Sequence, residues 1–253
     1  MSPRSLISLI SFRSLAVILV ITVVIVIVIL ESDRTLYLSH TPYDYYVKFF
    51  PIQPLNGLHN TLYRSYTPHI MYPVSGFPVH KSLMDNQESV IAEINKFDYD
   101  GLVEMSNAAH KDMDALPKTD YHYLKLYFYG YREPNLDQFP VLSETLARHP
   151  EIQTMFLSIM KGRQTVPYHR GSYNGVLRYH FPITKSTDSY MEILGSRLEA
   201  HRPFVFDDTY PHKLEKTSPD TTRIVLIIDI DNPYTPFPLP HHYLDYSRGK
   251  TKT

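Results

Sequence analysis

Two histidines and one arginine are the residues of this chain whose types and spacing indicate chemistry. His169 and His212 each lie at the edge of a β-like segment, and Arg223 follows 11 residues after His212 inside an apolar strand. Imidazole nitrogens are common ligands of ferrous iron, and a buried guanidinium binds a carboxylate through paired N–H donors. This order of residues is what an iron(II) oxygenase requires if it also holds a dicarboxylate co-substrate.

A third metal ligand is not evident from local spacing. Non-haem iron sites usually combine two histidines with one carboxylate. That carboxylate typically stands two residues after the first histidine, and here the position is Gly171. Asp207 or Asp208 could substitute, although turn formation and strand capping are the commoner roles of aspartates in such a segment. The chain has 13 histidines, so no single one identifies a metal site.

Arginines in apolar strands form the second part of the hypothesis. Arg223 would be costly to bury without a partner. It must therefore reach the sheet edge, pair with an acid such as Asp229, or bind a ligand carboxylate. Arg178 has a similar setting, and His180 shares its strand face because side chains alternate with a period of two. These residues predict an anion pocket, with solvent-facing edge arginines as an equal alternative.

Composition excludes several classes of function. The net charge of −1 produces no global field for nucleic acid, so we expect no nucleic-acid partner. The absence of cysteine excludes a disulfide scaffold, a thiol nucleophile and a zinc–thiolate site, and it leaves the compartment open. A count of 20 Pro and 21 Tyr against 9 Gly favours strands, turns and extended segments over a helical bundle.

An apolar run near the N-terminus predicts a membrane anchor. Residues 15–30 are apolar except for Thr22, and as a helix they would rise about 24 Å, slightly less than a bilayer core of roughly 30 Å. Arg4 and Arg13 precede the run, which places the N-terminus in the cytosol and the remaining chain in the lumen of the secretory pathway. The alternatives are a signal peptide, although no small-x-small cleavage site follows Leu30, and a buried core segment.

The chain divides into five predicted segments. They are a cytosolic N-terminus (1–14), a transmembrane anchor (15–30), a stalk or lead-in (31–80), a globular domain (81–233) and a Pro/Tyr-rich tail (234–253). Patterning predicts helices over 84–96 and 139–148, and strands over 123–130, 154–160, 176–183, 190–193, 203–206, 212–216 and 222–230. Short strands at this spacing are typical of a sandwich or jelly roll.

From about Val79 to Pro233 the sequence resembles the aspartyl/asparaginyl β-hydroxylase family of iron(II)- and 2-oxoglutarate-dependent dioxygenases. Several family blocks occur in order. The residues that match are His169, Gly171, Leu177, Arg178 and His180, then Phe206-Asp-Asp-Thr-Tyr-Pro-His212, then Arg223, with Ser158-Ile-Met160 upstream. This resemblance implies a mainly β fold, a double-stranded β-helix of the jelly-roll or cupin-like type, with flanking helices.

The resemblance also implies a metal site in which His169 and His212 bind Fe(II) as the catalytic ligands. In the peptide-hydroxylating members of the family a glycine likewise replaces the third, carboxylate ligand. Gly171 therefore fits that branch and does not by itself indicate loss of activity. The implied activity couples oxidative decarboxylation of 2-oxoglutarate to hydroxylation of a C–H bond in the substrate.

Further residues acquire roles by the same resemblance. Ser158 and Arg223 would hold the distal carboxylate of 2-oxoglutarate. Arg178 and His180 would line the side of the cavity shared by co-substrate and substrate. Tyr123 falls where family members often carry Trp near the co-substrate.

The substrate class stays open between two branches of that family. Peptide hydroxylases carry arginine two residues before the strand arginine, where this chain has Val176. Membrane-bound lipid A acyl-chain hydroxylases are also similar, but they usually carry aspartate at the position of Gly171. We expect hydroxylation of an Asp/Asn-type residue in a protein or peptide. A lipid acyl chain is one alternative substrate, and a non-catalytic jelly-roll binding protein is the other alternative.

Overall fold

Two antiparallel β-sheets with helices on one side form the described part of the protein. The computed structural model describes residues 14–26, 69–109, 120–169, 171 and 175–234. Most of the predicted N-terminus, most of the lead-in and all but the first residue of the predicted tail lie outside these ranges. The prediction of a mainly β fold with flanking helices is confirmed.

The helices and strands follow one another in a simple order. The helices are α1 (Pro78–Asp85), α2 (Gln87–Ile94), α3 (Tyr99–Ala109) and α4 (Pro140–Arg148), with short 3-10 helices at Val74–Gly76 and Pro134–Gln138. The strands are β1 (Met71–Tyr72), β2 (Tyr121–Phe128), β3 (Tyr131–Arg132), β4 (Ile152–Lys161), β5 (Gln164–His169), β6 (Val176–Pro182), β7 (Ser189–Ile193), β8 (Ser196–Glu199), β9 (Phe204–Phe206), β10 (His212–Lys216) and β11 (Thr222–Asp231).

The strands form one large sheet and one small sheet. The large sheet has the order β1-β9-β6-β11-β4-β2-β3, and the small sheet has the order β5-β10-β7-β8. All strand pairs are antiparallel. β11 lies at the centre of the large sheet and is buried on both faces, which explains why it is apolar almost throughout.

Alternation along the central strands separates an apolar face from a polar one. Leu226, Ile228 and Ile230 of β11 belong to the larger apolar core, which the helices cover. Arg223 and Ile227, at alternate positions of the same strand, face a cavity on the opposite side of the sheet. A smaller apolar core lies on that side and includes Met160, Met191, Ile193, Phe204, Phe206 and Leu214. The period of two thus directs polar side chains into the space between the two sheets.

A buried carboxylate joins two of the covering helices. Glu93 of α2 accepts hydrogen bonds from the backbone N–H groups of Val141 (2.6 Å) and Leu142 (3.0 Å) in the first turn of α4. Burial raises the pKa of Glu93, while these N–H groups act in the opposite direction. The contact satisfies donors that a helix start otherwise leaves free, since α4 has no side-chain cap of its own.

One predicted helix has the wrong bounds, and several observed elements, among them α3, β5 and β8, were not predicted. The helix predicted over 84–96 begins too early, because α1 ends at Asp85 and α2 starts at Gln87. Asn86 between them donates from its side chain to the Ser82 carbonyl (2.9 Å) and competes with the helical hydrogen bonds. β5 was not among the predicted strands, since it contains Pro167 and lies at a sheet edge, where proline is tolerated.

The N-terminal apolar run is described only in part. Residues 14–26 are helical, whereas residues 27–30 of the predicted anchor lie outside the described ranges. Within the described residues, no helix is both long and apolar enough to cross a membrane.

Candidate functional site

All six residues predicted to form the site line one cavity between the two sheets. These residues are Ser158, His169, Arg178, His180, His212 and Arg223. They come from β4, β5, β6, β10 and β11, so the cavity is assembled from both sheets. The remaining lining residues are Tyr121, Tyr123, Phe156, Val166, Met191, Leu214 and Ile227.

The two histidines predicted to bind metal lie beside each other. His169 is the last residue of β5 and His212 is the first of β10, and the two are register partners in the small sheet. Their ring centroids are 4.2 Å apart, with the ring planes inclined by 57°. Strand pairing therefore places the two imidazoles together although 42 residues separate them in sequence.

Backbone carbonyls set the tautomer of both rings. Nδ1 of His169 lies 2.8 Å from the carbonyl oxygen of Pro167, and Nδ1 of His212 lies 2.8 Å from that of Tyr210. A carbonyl only accepts, so each Nδ1 carries the hydrogen and donates. Each Nε2 is then left with its lone pair, which is the form that binds a metal.

Burial keeps both imidazoles neutral. Burial lowers the pKa of His169, partly offset by the Asp208 carboxylate. The pKa of His212 lies well below its ordinary value, because of burial and then the neighbouring His169. Neutral rings with free Nε2 lone pairs satisfy the chemical requirement of a metal ligand at neutral pH.

Asp208 occupies the space that a side chain at position 171 would need. A Cβ built on Gly171 would lie 2.1 Å from Oδ2 of Asp208, and the Gly171 N–H donates to the Asp208 carbonyl (2.7 Å). Oδ1 of Asp208 is 3.2 Å from Nε2 of His212. The Asp208 carboxylate, which comes from the loop between β9 and β10, therefore fills the space beside Gly171.

Asp207 has the structural role that its sequence context predicts. Its Oδ1 accepts hydrogen bonds from the backbone N–H (2.9 Å) and the hydroxyl (2.7 Å) of Thr209, which form a turn. Among the described residues, no group of three or more His, Asp or Glu side chains is arranged to hold a metal ion. The two imidazoles lie side by side in the cavity lining without a third such group beside them among the described residues.

Arg178 is held by two carboxylates. Its Nε and Nη2 donate to the two oxygens of Asp229 (2.7 and 3.0 Å), and its Nη1 lies 2.9 Å from Oδ2 of Asp208. Burial alone would lower the pKa of Arg178, but the two carboxylates raise it well above its ordinary value. Asp229, which the sequence offered as a partner for Arg223, pairs with Arg178 instead.

Arg223 has a different environment. Its Nε donates to the Ser189 hydroxyl (3.1 Å), whereas Nη1 and Nη2 are buried and find no hydrogen-bond partner among the described residues. The side chain is 1% exposed, and burial lowers its pKa to about 10. Arg223 therefore stays charged at neutral pH and presents two unused donors to the cavity.

Hydroxyl groups and an imidazole complete the lining near Arg223. Ser158 donates to the Tyr121 hydroxyl at 3.5 Å, and Tyr121 donates to Tyr123. His180 packs against the rings of Phe204 and Phe206, with centroid distances of 4.7 and 5.6 Å. Its Nδ1 is buried and, within the described residues, has no hydrogen-bond partner.

Two contributions to the site were missed by sequence reasoning. Tyr121 precedes Tyr123 by two residues and so shares its strand face, a signal that could have identified it. Ser189 could not be recognised in this way, because it lies in a different sheet from Arg223 and contacts it only across the gap between sheets.

Comparison with known proteins gives one family match and a curated relative. The family described as aspartyl/asparaginyl beta-hydroxylase matches residues 84–233, more than half of the chain. An ornithine lipid ester-linked acyl 2-hydroxylase from Rhizobium tropici is 26% identical over 175 residues. The match covers 64% of this chain and 60% of that relative, so this chain spans about three fifths of its length.

Solved structures give only remote matches. AviO1 from Streptomyces viridochromogenes Tue57 is 13% identical with a TM-score of 0.35, covering 59% of this chain and 87% of its own. The Cupin_2 domain of an XRE family transcriptional regulator from Enterobacter cloacae is 15% identical with a TM-score of 0.31. This match covers 45% of the present chain and 99% of the cupin domain. Similarity at these TM-scores gives no information about the functional site.

Proposed function

Because the chain belongs to the aspartyl/asparaginyl β-hydroxylase family, we propose that it is an Fe(II)- and 2-oxoglutarate-dependent hydroxylase. The observation that carries the proposal is the pairing of two features in one cavity. At one end two neutral imidazoles present free Nε2 atoms, and at the other a buried guanidinium has two unused donors. A metal ion would bind the Nε2 lone pairs, and a carboxylate would accept hydrogen bonds from the guanidinium.

His169 and His212 would hold the iron through Nε2. Their Nδ1–H bonds to backbone carbonyls fix the ring orientation before any metal arrives. Bound iron with 2-oxoglutarate would supply the oxidising chemistry, driven by dioxygen and decarboxylation. Asp208 lies beside His212 Nε2 and balances part of the charge of the cation.

The opposite end would bind the far carboxylate of 2-oxoglutarate. Arg223 would donate through Nη1 and Nη2. The Ser158 hydroxyl on the adjoining strand would add a donor by turning its single hydrogen from Tyr121, 3.5 Å away, to the carboxylate. The cation then gains a partner that the protein itself does not provide, which removes the cost of burying it alone. The neutral His180 would line the wall between the two ends.

Charge balance constrains the reacting part of the substrate. Summed over the cavity, the positive charges of Arg178, Arg223 and a ferrous ion would equal the negative charges of Asp208, Asp229 and a doubly negative 2-oxoglutarate. The occupied cavity would then be neutral overall and would offer no counter-charge to a charged group of the substrate. Burying such a group without a counter-ion is costly. We infer that the segment carrying the reacting C–H bond is uncharged.

Two substrate classes meet this condition to different degrees. Hydroxylation of an Asp/Asn-type protein residue, the expectation from sequence, stays a prediction, and an asparagine amide fits it better than a carboxylate. A lipid acyl chain is supported by a specific observation: Arg178 is already paired with two carboxylates, and Val176 stands where a second arginine would be needed. The acyl 2-hydroxylase of Rhizobium tropici is a relative with this kind of substrate.

The anchor at residues 15–30 would place the catalytic domain beside a membrane. We propose a single-pass protein with a cytosolic N-terminus and a catalytic domain on the lumenal side, supported by the apolar run and the preceding arginines. Protease protection of sealed membranes containing the full chain tests this orientation. Digestion of the catalytic domain without opening the vesicles would contradict it.

A succinate-release assay on the full chain tests the function. The protein is incubated with Fe(II), 2-oxoglutarate and panels of Asp peptides, Asn peptides and acyl lipids. We expect iron-dependent succinate formation that one uncharged substrate class stimulates. His169→Ala and His212→Ala should lose both this activity and bound metal, whereas His201→Ala, outside the cavity lining, should keep both. Full turnover by His212→Ala would show that the ligand assignment is wrong.

A further inference from the structure

A single hydrogen bond connects the two sheets at the arginine end of the cavity. Arg223 lies at the start of β11 in the large sheet, and Ser189 lies at the start of β7 in the small sheet. Nε of Arg223 donates to Oγ of Ser189 at 3.1 Å. Both side chains are almost fully buried, at 1% and 2% exposure, so water does not compete for this contact.

This hydrogen bond determines which edge of the guanidinium faces the cavity. A guanidinium can bind a carboxylate through Nε and one Nη, or through both Nη atoms. Arg178 uses the first edge on Asp229. In Arg223 that edge is engaged by Ser189, so the edge formed by Nη1 and Nη2 is the one left for a ligand. Both of these atoms are buried and without a partner among the described residues.

Ser189 is itself held in place by its neighbours. Its register partner in β10 is Lys216, a buried residue whose Nζ donates to the side chain of Asp188 at 3.0 Å and to that of Thr221 at 2.6 Å. The backbone N–H of Thr217 donates to the Asp188 carbonyl at 2.8 Å. These contacts join the start of β7 to the end of β10, so the Ser189 hydroxyl has a fixed position from which to hold the arginine.

We propose that Ser189 is a positioning residue for the co-substrate. By accepting the Nε–H of Arg223, it makes the guanidinium present its Nη1/Nη2 edge to the far carboxylate of 2-oxoglutarate. Ser189 acts through Arg223 and is not assigned a contact with the reacting atoms. The inference rests on the proposed function, since it needs a dicarboxylate 2-oxoacid in the cavity.

Removal of the hydroxyl should weaken one class of ligand only. In Ser189→Ala the guanidinium is free to turn, and its Nε–H loses a partner. We expect the dissociation constant for 2-oxoglutarate to rise about tenfold. The five-carbon monocarboxylate 2-oxopentanoate lacks the far carboxylate, so its weaker binding should not change. A loss of packing or folding would instead reduce the affinity for both acids.

Calorimetric titration of the full-length protein loaded with Mn(II) measures both affinities without turnover. Ser189→Thr retains a hydroxyl and should restore selectivity for 2-oxoglutarate. Ser143→Ala is the matched control, because Ser143 accepts a hydrogen bond from Arg132 at 2.9 Å on the surface, away from the cavity. It should bind both acids as the unmodified protein does. Thermal denaturation of each variant establishes that it is folded.

The possible results separate this inference from the proposed function. Selective loss of 2-oxoglutarate affinity in Ser189→Ala, restored in Ser189→Thr, supports it. Wild-type affinity in Ser189→Ala, together with loss of binding in Arg223→Ala, overturns the role of Ser189 and leaves the proposed function standing. Equal weakening for both acids shows a merely structural role and also overturns it. If the unmodified protein does not bind 2-oxoglutarate at all, both proposals fail.

Discussion

Arg178 and Arg223 lie on neighbouring strands of one sheet and line one cavity, yet their guanidinium groups have opposite surroundings. Arg178, near the two histidines, is paired with the carboxylates of Asp208 and Asp229. Arg223, at the other end, has one hydroxyl partner and two Nη atoms without any among the described residues. Accordingly, the pKa of Arg178 is raised and that of Arg223 is lowered by burial.

This difference distinguishes an arginine that stabilises the fold from an arginine that is available to bind a ligand. Each nitrogen of the Arg178 guanidinium contacts a carboxylate of the protein, so we expect its loss to affect mainly folding. Arg223 is buried at a cost that the described residues do not offset, and such a cost persists where a ligand supplies the missing partner. The substitution of each arginine by the same apolar residue should therefore have opposite consequences.

The largest expected effect is that of Arg178→Met. It leaves Asp208 and Asp229, whose side chains are 5% and 6% exposed, as buried carboxylates without a cation. We expect the free energy of unfolding to fall by about 3–5 kcal/mol in urea denaturation. Arg132→Met is the matched control, because its pair with Asp137 lies at the surface and should contribute less than about 1 kcal/mol. Equal losses in the two variants would contradict the contrast.

Arg223→Met should leave folding intact or improve it. Removal of a buried cation without a partner is expected to be neutral or to stabilise by up to about 3 kcal/mol. The same variant should lose binding of 2-oxoglutarate, measured by calorimetry. A destabilisation comparable to that of Arg178→Met would mean that Arg223 has a structural partner after all.

Gly171→Ala tests the surroundings of Arg178, where Asp208 lies beside His212, one of the two histidines proposed to bind metal. The new Cβ would meet Oδ2 of Asp208 at 2.1 Å, and Arg178 restrains that carboxylate from moving away. We expect a loss of about 1–3 kcal/mol in stability, with weaker metal binding by elemental analysis. Gly76→Ala is the control, since no atom lies within 4 Å of its Cβ position. Unchanged stability and metal content in Gly171→Ala would count against the assigned position of Asp208.

The smallest effect concerns His180, which lies in the field of both arginines. Burial, and then the charges of Arg223 and Arg178, lower its pKa well below the ordinary value of 6.5. Below that pH the unfolded chain binds a proton that the folded protein does not, so stability falls as the pH decreases. The slope attributable to His180 is at most about 1.4 kcal/mol per pH unit.

Urea denaturation of the metal-free protein at pH 7, 6 and 5 measures this slope. His180→Gln removes the titrating group and should show a shallower dependence on pH than the unmodified protein. If the two profiles are parallel, the buried imidazole does not titrate as described.

Much of the site could be predicted because its residues occur in ordered blocks. The period of two placed Arg178 and His180 on one strand face, and the structure has both in the cavity lining. The break at Asn86 and the edge strand β5 were not predicted, because side-chain competition and a tolerated proline override local propensity there. The roles of His169, His212 and Arg223 in binding iron and 2-oxoglutarate stay predictions that the proposed experiments address.

By itself, the sequence determined the family and the kinds of donors available, since these depend on residue types and on short spacings. Only the tertiary structure decided which side chains pair with each arginine, because Asp208, Asp229 and Ser189 reach the arginines across strands or between sheets. The same distinction explains the surroundings of Gly171, because the Asp208 carboxylate that fills the space beside it comes from a distant part of the chain. Strand pairing joins residues that are distant in the chain, and local patterns contain no information about such contacts.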